Sequence, residues 1–167
     1  MTIRLQTKLF ILFFSLGLDA CGTKHKKVIE RSYNFGEIQR TTELLLNIKD
    51  ENYQYGLFLD DGSYNISYEF KFNPSEKSLV FFDIDCKPID SKAFIFNDKS
   101  YIIHNFLYDD PNAIDEELNI YFNKEFGLMA FRELIFNGHI TWTNSNAQLI
   151  QKLEFDSTGF FYRSFKR

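Results

Sequence analysis

The chain has 167 residues and a formal net charge of −4, with 44% hydrophobic and 18% aromatic residues. That length suits one domain, able to bury about two-thirds of the surface its unfolded chain exposes. The negative charge speaks against a nucleic-acid partner, whose phosphates would repel it, and two cysteines, Cys21 and Cys86, are too few for a disulfide framework.

Arg4 and Lys8 precede an apolar run from Leu9 to Leu18, interrupted only by Ser15 and Gly17. Ten residues of helix rise about 15 Å, half of a roughly 30 Å hydrocarbon core, so the run has signal-peptide length and does not make a transmembrane anchor. It ends in Leu18-Asp19-Ala20-Cys21. This stretch resembles the lipobox of bacterial lipoproteins, with Leu18, Ala20 and Cys21 matching the pattern and Asp19 at a position more often small and uncharged. The resemblance implies cleavage before Cys21, acylation of its thiol and amino group, and attachment to the bilayer. Gly22 after the cysteine looks like outer-membrane routing, and the basic residues that follow point to the periplasmic side. We therefore expect a signal peptide over 1–20, a basic tether over 21–31 carrying Lys24, His25, Lys26 and Lys27, and a folded domain over 32–167.

From Tyr33 onward the pattern is strand after strand. Residues 42–48 (TELLLNI) suit a strand or a turn or two of helix. Tyr53, Tyr55, Leu57 and Leu59 alternate before Asp61-Gly62, a pair that favours the positive φ of a hairpin turn. Ile66, Tyr68, Phe70 and Phe72 then alternate with polar residues, placing four apolar side chains on one face of a half-buried antiparallel strand. Further strands are expected at 78–84, 92–97, 100–108, 117–123, 128–134, 139–144, 148–155 and 160–165, with turn-forming separators and with Pro74, Pro88 and Pro111 outside their interiors. Pro111 is a plausible start for a turn or two of helix. Strands spaced in this way predict an all-β, single antiparallel domain: a strongly curved sheet, barrel or sandwich, with at most short helices.

Chemistry is harder to find. Three histidines, His25, His104 and His139, show no zinc-binding spacing, and no serine-hydrolase elbow or phosphate loop is present. No cofactor is expected. Asp109, Asp110, Asp115 and Glu116 form a weak calcium candidate that lacks the glycine and spacing of an EF-hand loop. Glu69, Asp83 and Asp85 are strand-associated acids of the type a glycosidase pairs, and Cys86 reads as a structural thiol. Residues 156–158 (DST) are similar to a bacterial O-glycosylation sequon with Ser157 as acceptor, which would put that turn on the surface. The 20 phenylalanines are the unusual feature. Most must fill a core, yet a curved sheet can also line a cavity with rings, and Phe70, Phe72, Phe81 and Phe94 are the candidates for that role. The expected role is a binding or structural one in the cell envelope, with the bilayer as one partner and an apolar ligand or an envelope protein as the other. An envelope-associated hydrolase is the alternative.

Overall fold

The computed structural model describes residues 25–114, 117–134 and 138–161. Ten antiparallel strands and one helix follow in chain order: β1 (Lys26–Asn34), β2 (Glu37–Lys49), β3 (Asn52–Phe58), β4 (Tyr64–Asn73), β5 (Ser78–Phe81), β6 (Ile84–Phe96), β7 (Lys99–Tyr108), β8 (Leu118–Asn123), β9 (Gly127–Glu133), β10 (Gly138–Thr143) and α1 (Ala147–Glu154). Every strand pairs with its neighbours in sequence, and β1 pairs with β10 as well as β2, so the sheet closes into an up-and-down barrel. The β1–β10 pairing joins the two ends of the strand order, while β5 pairs with β6 only over Ile84–Cys86 and with β4 only over Phe70–Asn73.

Alternation along the strands sorts the side chains into two apolar clusters. Val28, Leu44, Leu46, Tyr53, Tyr55, Phe70, Phe72, Leu79, Phe81, Cys86, Phe106, Phe122, Phe131 and Trp142 belong to one cluster inside the barrel. A second cluster lies outside the wall, where Leu149, Ile150 and Leu153 of α1 cover Phe94, Phe96, Ile103, Tyr121, Met129 and Ala130. Tyr121 and Ala130 face the helix and Ile120 and Phe131 face the interior, so β8 and β9 are buried on both sides.

Several expectations change. Residues 148–155 form most of α1 rather than a strand. Leu149, Ile150 and Leu153 stand at i, i+1 and i+4, the spacing of one helical face, and their burial on the barrel wall selects the helix. β1 begins at Lys26, inside the stretch assigned to a tether; the charged Glu30 turns inward with Val28 while the apolar Ile29 lies between them on the other face, which conceals the alternation. Phe160 and Phe161 are not in a strand, and the rest of the segment expected at 160–165 lies outside the described residues. Likewise, residues 111–114 form a turn and no helix starts at Pro111 among the described residues. Residues 42–48 lie in β2, and the Asp61-Gly62 turn joins β3 to β4 as expected. A bulge between Tyr55 and Gly56 breaks that hairpin's alternation, so Tyr53 and Tyr55 are buried while Leu57 and Leu59 are exposed. No helix among the described residues is long and apolar enough to cross a membrane.

Candidate functional site

In an up-and-down barrel successive turns alternate between the two ends. The β2–β3, β4–β5, β6–β7 and β8–β9 turns therefore share one end with the start of β1. At this end the β4–β5 turn, the first half of β7 and the β8–β9 turn surround a pocket of about 520 Å³.

Tyr53, Phe72 and Phe122 sit beneath it. The Tyr53 and Phe122 rings meet edge to face at 4.8 Å and those of Phe72 and Phe122 lie 4.9 Å apart. Burial pushes the Tyr53 hydroxyl up to about 12, so it stays protonated and donates to the Lys124 carbonyl at 2.7 Å, tying β3 to the β8–β9 turn. Asn123 organises the same turn. Its Oδ1 accepts from the Glu125 and Phe126 amides while its Nδ2 donates to the Ile102 carbonyl at 2.8 Å. Those bonds leave the Lys124 side chain exposed at the rim.

On the facing side Asn73 Oδ1 accepts from the Ser75 amide and hydroxyl, an Asx turn that delivers Lys77 to the pocket in a left-handed conformation, φ 51°. Lys99 completes the cationic rim, but it is committed: its Nζ lies 2.7 Å from Glu125 and 4.9 Å from the centre of the Tyr101 ring. Among the described residues Glu125 is the one carboxylate in the lining, so the rim carries a surplus of positive charge. His104 is half-buried on the inner wall, its ring 5.7 Å from Phe72 and 6.0 Å from Phe106. Burial, helped by the charge on Lys77, lowers its pKa below the ordinary histidine value, so the imidazole is neutral near pH 7.

Of the four rings expected to line a ligand site, only Phe72 reaches this pocket. Phe70 and Phe81 stack on each other at 4.4 Å in the barrel interior. Phe94 lies outside the wall in the cluster beneath α1. The signals missed in the sequence are Lys77, Lys99, Lys124 and His104. The lysines belong to three separate segments, so no local spacing links them, and His104 occupies what reads as an ordinary strand position.

Other candidates are scattered. Asp109 pairs with Lys87 at 3.4 Å and Asp110 caps the Asn112 amide, while Asp115 and Glu116 lie outside the described residues. Among the described residues no group of three or more His, Cys, Asp or Glu side chains is placed to hold a metal ion. Glu69 and Asp83 border a shallow depression of about 480 Å³ on the outer wall, where Asn52 and Gln54 hold the Glu69 carboxylate below the usual range. Cys86 faces the interior, and burial with Asp85 nearby pushes its thiol up to about 12, which makes it unreactive. His139 comes within 3.9 Å of a half-buried Glu154, but the imidazole is buried between Tyr33 and Phe161 rather than set in a cleft. Ser157 is exposed in a turn whose neighbours Asp156 and Thr158 bind Lys92. Cys21 lies outside the described residues.

Comparison with protein-family models, with curated proteins and with solved structures finds no match to this chain.

Proposed function

We propose that this chain is a lipid-anchored binding protein of the cell envelope, tethered through Cys21 and binding its ligand at the open end of the barrel. The observation that carries the binding role is the pocket itself: the interior is filled by its own rings, whereas the mouth combines an apolar floor with unneutralised charge. The anchor rests on the Leu18–Cys21 resemblance, and the described chain begins at the same end as the mouth. Cys21 stands four residues before His25, a span of at most about 14 Å of extended chain. A lipid on Cys21 would hold the mouth toward the bilayer, at the outer membrane that Gly22 suggests and on the periplasmic side that the basic residues after it suggest. Acylation by two or more chains makes such attachment stable where one chain binds reversibly.

Intact mass of the membrane-extracted protein tests the anchor. The wild type is expected to begin at Cys21 and to be heavier than that chain by its acyl groups; Cys21→Ser is expected to stay unprocessed and unmodified. A wild-type chain with an unmodified Cys21 would remove the anchor from this reading.

A further inference from the structure

The mouth pocket holds more positive charge than its own residues neutralise. Lys77 and Lys124 form no ion pair among the described residues, whereas Lys99 is bound by Glu125. His104 makes no hydrogen bond through its ring nitrogens among those residues, although it is half-buried between Phe72 and Phe106. Two exposed ammonium groups and an unbonded imidazole thus border one space, with apolar surface from Phe72 and Ile102 beside them. Like charges held together are unfavourable, and an anion among them is favoured both by Coulomb attraction and by charge-assisted hydrogen bonds. A carboxylate offers one charge and two acceptor oxygens. A phosphate monoester offers up to two charges and three terminal oxygens, which suits two lysines and a histidine on different sides.

We propose that the mouth binds a phosphate group carried on an apolar body, its oxygens bonded by Lys77, Lys124 and His104 and its apolar part lying on Phe72 and Ile102. This deepens the proposed binding role by naming the ligand's chemistry, and it rests on the mouth being the binding site but not on the anchor. Binding costs the fold little, because Lys77 and Lys124 are exposed turn residues already positioned by Asn73 and by the Tyr53–Lys124 and Asn123 bonds. A phosphate beside His104 also reverses the depression of its pKa. Lys77 from the β4–β5 turn, Lys99 at the start of β7, and Lys124 with Glu125 from the β8–β9 turn are the charged groups lining the pocket among the described residues, and a phosphate dianion offsets their surplus of two positive charges while bonding His104 directly. Such a ligand has two sources, a phospholipid of the facing bilayer or a soluble phosphate ester, and both present the same chemistry.

The test is NMR of histidine-labelled full-length chain in neutral detergent, titrated with octyl phosphate, inorganic phosphate or octanol. Octyl phosphate is expected to shift the His104 ring signals and raise the His104 pKa, with those of His139 unmoved. Lys77→Asn combined with Lys124→Gln is expected to weaken binding about tenfold or more, the loss of two charge-assisted bonds, and both changes suit exposed turns, Asn being tolerant of positive φ. Inorganic phosphate and octanol are each expected to bind about tenfold or more weakly than octyl phosphate, since each lacks half of the recognition. No response at His104, equal binding by the double variant, or inorganic phosphate binding as tightly as octyl phosphate would overturn the proposal. In vesicles of phosphatidylcholine with and without phosphatidic acid, a His104 shift that needs phosphatidic acid alone supports the bilayer source; a shift only on adding octyl phosphate supports the soluble one. Cys21→Ser separates the two proposals: octyl phosphate binding by that variant sustains the pocket whatever intact mass says of the anchor.

Discussion

His139 illustrates how one buried side chain sets the pH response of the fold. It is stacked on Tyr33 at 4.5 Å and only 7% exposed. Burial, with Arg132 adding to it, lowers its pKa from 6.5 to about 4. A group whose folded pKa is depressed contributes stability that is full above 6.5 and is lost as pH falls through 6.5 toward 4. The expected loss between pH 7 and pH 5 is about 2 kcal/mol. Glu154 opposes it in part, because burial raises its pKa and its contribution grows as pH falls. Urea midpoints at the two pH values should show the slope in the wild type, and His139→Phe should remove most of it. A second buried charge behaves differently. Glu30 is 2% exposed and its carboxylate is held by Arg40 at 2.7 Å, while its Oε2 makes no hydrogen bond among the described residues. Arg40→Ala should cost about 2 kcal/mol by leaving that charge uncompensated, and adding Glu30→Gln should recover most of the loss. Denaturation of the two single variants and the double variant measures the coupling; additivity would contradict it.

At the scale of elements, the β8–β9 turn ties the barrel's two halves together. Gly127 has φ 78°, and a Cβ there would collide with the Tyr55 hydroxyl, which itself accepts from the Leu128 amide at 2.6 Å. Gly127→Ala must strain the backbone and displace that hydroxyl, so it should lower stability by roughly 2–4 kcal/mol. Thermal unfolding measures this, and a Tm within a degree of wild type would contradict it. The helix makes the complementary point. Its three buried residues leave Phe155 exposed just beyond its end, and Lys152 Nζ donates to the Ile95 carbonyl while Lys92 pairs with Asp156. A segment of eight residues is too short to be helical alone. The wall beneath it supplies the stabilisation, a tertiary contribution absent from residues 148–155 taken alone, which were expected as a strand.

For the molecule as a whole, closure decides where a ligand can go. The barrel interior contains Phe70 and Trp142 with no exposed surface and Phe81 with almost none. A ligand held inside would have to displace rings already packed at van der Waals contact, so the interior should not take up an apolar guest. Phe70→Ala should open a cavity at a cost of about 3–5 kcal/mol and admit a small apolar molecule such as benzene. Trp142, the sole tryptophan, reports the difference: its fluorescence should respond to the guest in the variant and not in the wild type.

The sequence by itself determined the all-β class, most strand positions and the β3–β4 turn, because alternation and turn chemistry are local properties. It also marked Cys21 and the lipobox resemblance, which lie outside the described residues. Only the tertiary structure decided that the sheet closes, since β1 meets β10 across more than a hundred residues of chain. The same closure turned Phe70 and Phe81 into core, sent Phe94 to the outer wall and left Phe72 under the mouth. It brought Lys77, His104 and Lys124 from three separate segments to one space, a convergence fixed by barrel geometry and strand register, to which no local pattern of residues responds.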